Sequence, residues 1–301
     1  MQIGIDLGGT HIAVGIISER NTIIAKSEMD IFKVEPEKEM KQYIIDNIKL
    51  LISQTLRKAG APSCVISKIG IAIPGKIKNQ IAYDIYNLGI KEFDICKILS
   101  EHYGVEVVIR NDAKCAALAE SQIGSLKEYK DAVFLCLGTG IGGATFINGR
   151  MLEYTKEWGS EYGHMIISKD GLECKCGSKG CFEQYASMKA FKNGIIKLLN
   201  LHENADSEEI LKIVTDKVKV NDTQVNAYID KYLENLIIGI SNIINILQPD
   251  AICIGGSFVY YEKILYTRLI EKMNLKNFNG TKPKIVLAKL GNEAGMIGSL
   301  M

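Results

Sequence analysis

One arrangement occurs twice in this chain. Ile3–Leu7 reads as a strand, Gly8-Gly9-Thr10 as a glycine turn and Ile12–Ile17 as a second strand. After a turn at Glu19-Arg20-Asn21, a third strand is predicted around Thr22–Lys26. The order then returns. Val133–Leu137 is strand-like, Gly138-Thr139-Gly140-Ile141-Gly142-Gly143 is a glycine turn, and Ala144–Ile147 is a second strand. Asn148-Gly149 is a strong hairpin signal, with a third strand from Arg150. A repeated supersecondary unit with glycine turns at matching places constrains the fold to two related α/β domains.

The intervening segments supply helices. Glu37 to Lys58 carries apolar residues at Met40, Ile44, Ile48, Leu51, Ile52 and Leu56, a helical period that Gly60 and Pro62 stop. Ile69–Ile73 reads as a buried strand ending at Pro74-Gly75, 94–103 as a short helix, Val105–Ile109 as another buried strand and 112–123 as a helix. In the second half, helices are predicted from Phe182 to Leu199, over 207–216, over 223–247 before Pro249, and over 259–273. Strands at 251–254 and 284–288 and a last helix over 293–300 complete the pattern. No low-complexity linker separates the halves, which predicts a packed two-lobed body with a cleft.

Bulk chemistry excludes several classes. Net charge is +1 and no basic stripe interleaves with aromatics, so nucleic acid is not an expected partner. The longest apolar run, Leu236 to Leu247, is broken by Ser241, Asn242 and Asn245 and is too short and polar to span a bilayer. Met-Gln-Ile-Gly-Ile-Asp enters a strand directly, so neither a signal peptide nor a membrane is expected, and the expected location is cytoplasmic. Cys64, Cys96, Cys115, Cys136 and Cys253 are scattered in apolar contexts and read as reduced core residues.

The remaining cysteines are different. Cys174, Cys176 and Cys181 follow His164 in one short window, a complete tetrahedral ligand set for Zn²⁺. The string Cys-Lys-Cys-Gly-Ser-Lys-Gly-Cys has little apolar surface with which to bury three thiols, and a disulfide would leave one of them unpaired. Four protein ligands leave no open position, so the metal would be structural, and a zinc-dependent hydrolase is disfavoured. Carboxylates at Glu161 and Glu183 bracket the window.

The glycine turns suggest phosphate chemistry. Gly8 and Gly9 let backbone N–H groups approach an oxyanion, Thr10 adds a hydroxyl, and Asp6 at the strand end is suited to Mg²⁺ through water. Such turns also serve ordinary hairpins. Gly138, Thr139 and Gly140 repeat the device; a strand follows, so the dinucleotide pattern is not met, and no Gly-Lys-Ser/Thr completes a P-loop. Asn111-Asp112-Ala113 lies where a strand ends and a helix begins, which ordinary N-capping explains and where open α/β sheets also place ligands. Gly255-Gly256 is a third glycine turn, from strand to helix, suited to a nucleotide's base and ribose with a helix N-terminus behind it.

Taken together these strings resemble the ROK family of sugar kinases and regulators, within the actin-like ATPase superfamily, over nearly the whole chain. Asp6-Leu-Gly-Gly-Thr10 is similar to its first phosphate motif and Leu137–Gly143 to its second. Asn111-Asp112-Ala113 resembles the Asn-Asp-Ala catalytic motif, Glu161-Tyr-Gly-His164-Met the Glu-x-Gly-His-Met signature, and Cys174-x-Cys176-Gly-x-x-Gly180-Cys181-x-Glu183 the zinc signature. Leu290–Gly298 resembles the family's final helix. The resemblance implies an α/β fold of two actin-like (ribonuclease H-like) lobes with an interlobe cleft and a zinc-bound loop. The expected division is a small lobe of residues 1–113 plus 289–301 and a large lobe of 114–288.

The implied activity is ATP-dependent, glucokinase-like phosphorylation of a hexose at the 6-hydroxyl, with Asp112 as general base. Gly75, Asn87, Asn111, Asp112, Glu161, His164 and Glu183 would hold the sugar. Asp6, Gly8, Gly9, Thr10, Gly138, Thr139, Gly140, Gly255 and Gly256 would hold ATP and Mg²⁺, and His164, Cys174, Cys176 and Cys181 would hold zinc. A homodimer is also implied. The chain departs from the family at Tyr86, where Pro often stands, and at Gly89-Ile90, which bears on the sugar's identity; an N-acetylmannosamine or other amino-sugar kinase is the alternative. Ser160 replaces a frequent Gly, with little effect expected. The family's repressors carry a helix-turn-helix segment ahead of the sugar-binding body. The strand beginning at Ile3 leaves no room for one, and intact Asp112 and glycine turns argue against a catalytically silent sugar sensor.

Overall fold

A computed structural model describes residues 1–61, 66–152, 159–203, 205–274 and 282–301. Pro62 and Cys64 lie outside the described residues. The chain divides into two units, one of Met1–Lys127 with Lys289–Met301 and one of Glu128–Leu152 with 159–288.

In the first unit, β1 (Gln2–Leu7), β2 (His11–Ile17), β3 (Ile23–Asp30), β4 (Lys68–Ile73) and β8 (Glu106–Asn111) form one sheet in the order β3-β2-β1-β4-β8. β1, β2 and β3 pair antiparallel, while β1, β4 and β8 run parallel. The central strands are near-continuous apolar runs because the sheet is covered on both faces. Ile3, Ile5 and Leu7 of β1 and Ile69, Ile71 and Ile73 of β4 are fully buried. Helix α1 (Glu37–Lys58) buries Met40, Ile44, Ile48, Leu51, Ile52 and Leu56 in the same cluster, with acidic residues in its first turn and basic ones in its last. A small meander of β5 (Lys76–Lys78), β6 (Ile81–Ile85) and β7 (Ile90–Phe93) follows β4. Helix α2 (Ile95–Tyr103) then starts with the Asp94 carboxylate accepting from the Lys97 N–H. Helix α3 (Asp112–Gln122) follows β8 directly.

The second unit repeats the plan. β9 (Ala132–Leu137), β10 (Ile141–Ile147), β11 (Arg150–Met151), β12 (Ala251–Gly256) and β13 (Lys284–Leu287) lie in the order β11-β10-β9-β12-β13. Again two antiparallel pairings are followed by two parallel ones. The repeat read from the sequence is thus a repeat of topology. The expected helix from Phe182 is two helices, α4 (Glu183–Ala186) and α5 (Met188–Leu199), because Ser187 is extended and caps the second by accepting from Ala190 N–H. α6 (Ser207–Lys219) and α7 (Thr223–Leu247) follow, and α7 ends at Gln248 in the left-handed conformation before Pro249. The expected helix over 259–273 is 3₁₀ at Ser257–Tyr261, π at Glu262–Tyr266 and α only in α8 (Thr267–Asn274).

The chain returns to the first unit through a 3₁₀ turn, Gly291–Glu293, and α9 (Ala294–Gly298). The boundary expected after residue 113 falls after Lys127, because α3 packs on α9 and stays with the first unit. Two contacts explain this. A Cβ on Gly298 would collide with the backbone carbonyl of Cys115. The buried Glu120 carboxylate accepts from the backbone N–H groups of Ser125, Lys289 and Leu290 at 2.7–2.8 Å. Cys96, Cys115 and Cys253 are buried and Cys136 is partly buried, and none of the four forms a disulfide among the described residues.

Gly298→Ala should therefore lower stability by about 3 kcal/mol through overpacking. Urea unfolding followed by circular dichroism measures this; an unchanged midpoint would show that α9 does not approach α3 closely.

Candidate active site

The parallel strands of the first unit deliver their C-terminal ends to one edge. Asp6 of β1 pairs in register with Ala72 of β4, and Ile73 of β4 with Asn111 of β8. Asp6, the Pro74-Gly75 turn and Asn111-Asp112 are therefore gathered where open parallel sheets place ligands. Gly75 adopts φ +104°, and a Cβ there would lie 2.6 Å from the Tyr83 carbonyl, so only glycine fits.

Asn111 caps α3. Its Oδ1 accepts from Ala113 N–H at 3.1 Å and Lys114 N–H at 3.3 Å, and its Nδ2 donates to the Gly75 carbonyl at 3.2 Å. The capping explanation open to this residue is thus satisfied, and the amide also ties Gly75 to the helix start. Asp112 Oδ1 accepts from Ala113 N–H at 2.8 Å. Desolvation holds the Asp112 pKa above the ordinary carboxylate range, opposed by that backbone bond. Asp6 is raised to about 7, first by desolvation and then by the charge of Asp112, with Lys26 opposing. A Cβ on Gly295 would lie 2.7 Å from Asp6 Oδ2, so α9 closes over this carboxylate and removes its water. A desolvated carboxylate beside a second one suits a hard cation such as Mg²⁺.

The first glycine turn closes with Gly8 N–H donating to the His11 carbonyl at 2.8 Å. A Cβ on Gly9 would lie 2.8 Å from Asn87 Cβ, so the structure brings Asn87 onto the phosphate-like turn. Asn87 stands in a 3₁₀ turn, Tyr86–Leu88, inside the β5–β7 meander. Tyr86 beside it is 77% exposed.

In the second unit the glycine turn joins β9 to β10. Gly138 N–H donates to the Gly140 carbonyl at 3.0 Å, and Lys189 N–H at the start of α5 donates to the Gly138 carbonyl at 3.1 Å. A Cβ on Gly140 would collide with Glu183 Oε2, which sets that carboxylate against the turn. Gly255 and Gly256 end β12 beside β9, Gly256 at φ +73°. The helix N-terminus expected behind them is absent, since a 3₁₀ segment follows Gly256.

His164, Cys174, Cys176 and Cys181 come together, their ligand atoms all within 4.8 Å of one another. Cys174 Sγ lies 3.8 Å from His164 Nδ1, and Cys176 Sγ lies 3.6 Å from Cys181 Sγ. Tetrahedral zinc with Zn–S near 2.3 Å places its sulfurs about 3.8 Å apart, so the residues fit the ion. Burial pushes the Cys181 thiol up to about 12, while the Ser178 backbone N–H and then Cys174 draw exposed Cys176 down to about 7. The loop is held by Cys174 N–H to the Ser178 carbonyl at 2.8 Å and Gly177 N–H to the Cys174 carbonyl at 3.0 Å. Glu183 joins this cluster to the glycine turn, since its Oε1 accepts from the Cys174 thiol at 3.3 Å and from Gln184 Nε2 at 3.3 Å. Gln184 was not singled out by sequence; its place next to a ligand-bracketing carboxylate was the available signal.

Comparison with known proteins supplies the family. The ROK family profile matches residues 2–301. The chain belongs to the ROK family. This ROK chain is 29% identical over 315 residues to a glucokinase of Thermotoga maritima, covering 99% of this chain and 95% of that protein. It is also 29% identical over 301 residues to a xylose repressor of Bacillus spizizenii, covering 99% of this chain and 75% of the repressor. Among solved structures, a ROK hexokinase from Thermus thermophilus matches with a TM-score of 0.78 at 25% identity, over 99% of this chain and 95% of that one. The actin-like α/β architecture expected for a ROK protein is thus present. Among the described residues no helix is long and apolar enough to cross a membrane.

The raised Asp6 pKa has a signed consequence. A carboxyl raised from 3.8 to about 7 favours folding while protonated, and that contribution is lost as pH climbs through about 7. Asp6→Asn should leave the melting temperature of the ligand-free protein unchanged near pH 4. At pH 8 it should stabilise by on the order of 3 kcal/mol. Thermal melts of both proteins across that range measure this; a pH-independent difference would contradict desolvation at Asp6.

Proposed function

We propose that this chain is an ATP-dependent hexose kinase acting at the 6-hydroxyl, with Asp112 as general base. The observation that carries the reading is the pair of carboxylates at the parallel-strand ends, Asp112 and Asp6, both desolvated, with α9 closing over Asp6 at Gly295. Its support among relatives is the glucokinase that matches nearly end to end.

Phosphoryl transfer has a loose transition state, so positioning and charge neutralisation do most of the work. In this reading the sugar hydroxyl donates to Asp112. Its oxygen attacks the γ-phosphorus, the proton passes to the Asp112 carboxylate, and the bond to the ADP oxygen breaks. A carboxyl with a raised pKa accepts that proton more readily than an ordinary one. Asp6 would hold Mg²⁺ through water, and the ion would neutralise phosphate charge when bound. Backbone groups of Gly8, Gly9, Gly138 and Gly140 and the hydroxyls of Thr10 and Thr139 would receive the phosphates. Gly255 and Gly256 would line the remainder of the nucleotide.

The sugar would be held by amides and carboxylates, which pair with hydroxyls through charge-assisted bonds. Asn87 and Asn111 offer amides, Glu161 and Glu183 carboxylates, and Gly75 room for close approach. His164 would bind metal through one ring nitrogen and offer the other to a sugar oxygen. Zinc in the Cys₃His set would be structural, fixing His164 directly and Glu183 through Cys181, which precedes it by two residues. A homodimer in the cytoplasm completes the proposal. An amino-sugar substrate is the alternative, since Tyr86 and Gly89 stand beside Asn87 where the family pattern differs.

ADP release coupled to a reporter, across a panel of hexoses and N-acetyl amino sugars, tests the reading. One hexose should support turnover that Asp112→Asn lowers by roughly 10²-fold or more, with sugar binding kept. The acid limb of kcat should lie above the ordinary carboxylate range, following the upward Asp112 shift. Wild-type turnover retained in the Asn variant would remove Asp112 from the chemistry.

A further inference from the structure

Glu161 is flanked on both sides by hydroxyl groups that meet at one buried point. Thr145, in the middle of β10, is 3% exposed. Its Oγ1 lies 2.8 Å from Ser160 Oγ and 2.5 Å from Tyr162 OH. A threonine hydroxyl can donate to one neighbour while accepting from the other, so one side chain serves both. The residues before and after Glu161 are thereby fastened to the same strand.

The segment is further constrained by packing. A Cβ on Gly143 would lie 2.7 Å from Tyr162 Cδ2, and one on Gly163 would lie 2.5 Å from the Ile141 carbonyl, so the chain from 162 to 163 lies flush on β10. Ser160 adopts φ +59°, the left-handed region that a residue with a Cβ enters only against resistance. Its hydroxyl contact with Thr145 offsets that resistance. The little effect expected of serine at this position overlooked both its backbone and its partner. Beyond Tyr162 the 3₁₀ turn Tyr162–His164 leads straight to the first metal-ligand residue. Glu161 itself is exposed, while both of its neighbours are held.

We propose that Thr145 and Ser160 are positioning residues for Glu161: their hydroxyl latch fixes the backbone on either side and so sets the direction in which the carboxylate meets the sugar. This rests on the sugar-kinase reading and assigns it a sugar-specific determinant away from the glycine turns. In this proposal the latch acts through Glu161.

Three variants separate this from a general structural role. Thr145→Val keeps the branched shape and removes the hydroxyl. Ser160→Gly removes the hydroxyl while relieving the left-handed backbone, so a purely structural serine would be replaced without loss. Thr145→Ser restores the hydroxyl. The expected result is a sugar KM raised about tenfold in Thr145→Val and Ser160→Gly, and near wild type in Thr145→Ser. ATP KM should stay unchanged, with kcat at saturating sugar within about threefold. Unchanged sugar KM in the first two variants, or ATP KM rising alongside it, overturns the proposal. A readout without turnover accompanies this: amide hydrogen exchange at 160–162 should quicken in Thr145→Val while 138–140 is unaffected, and equal exchange at 160–162 also overturns the latch. Wild-type protein that phosphorylates no sugar would sink the kinase reading instead, and the exchange result then decides the latch alone.

Discussion

Four ligand atoms within 4.8 Å of one another govern the part of this protein that has least regular structure. From residue 159 to the start of α4 the described chain contains one 3₁₀ turn and two isolated bridges. Such a segment buries little apolar surface of its own and cannot repay its conformational entropy by packing. A shared metal ion can, because ligand binding is folding energy for a loop of this kind. Three of the groups proposed to meet the sugar sit on or beside the same loop. His164 is one of the four candidate ligands, Glu183 lies two residues after Cys181, and the Glu161 carbonyl accepts from the His164 N–H. The metal would thus act on substrate only through the protein groups it holds still.

The first unit solves a different problem, that of keeping acids available in a dry place. α9 approaches the sheet and α3 through glycines, and its Gly295 lies over Asp6. Close packing of this sort removes water from two carboxylates and raises both pKa values. That costs stability at neutral pH, and the surrounding apolar cluster on β1, β4 and α1 supplies it. A carboxylate that is expensive when charged is drawn strongly to a cation or a proton, which is what a phosphoryl-transfer site asks of it.

Much of this was legible in the residues. The helices over 37–58 and 223–247 carry long, strongly periodic apolar patterns, and the structure has them with those bounds. The strand–turn–strand repeat foretold two sheets of the same strand order. The metal cluster was visible because cysteine and histidine in one polar window have few other uses. The β5–β7 meander was not visible: its strands are short, and its turn places Asn79 and Gln80 at positive φ with no glycine to announce it. The helix after Gly256 was overread because apolar residues at 258, 261, 264 and 265 fit 3₁₀ and π segments as well as an α-helix. The unit boundary was misplaced for want of a long-range contact, the Glu120 carboxylate on Lys289 and Leu290. Nor does sequence spacing reveal that Asn87 meets Gly9 or that Glu183 meets Gly140.

The Cys₃His cluster frames the sugar-directed groups Glu161, His164 and Glu183, and it reaches the glycine turn only through Glu183 at Gly140. Isothermal titration of zinc-loaded and metal-stripped protein, each with hexose and with a non-hydrolysable ATP analogue, tests it most directly, with circular dichroism confirming the fold. The expected result is hexose binding lost on stripping and regained on adding Zn²⁺, with the nucleotide heat changed far less than the hexose heat. Hexose affinity that is the same in a folded, metal-free sample would contradict it.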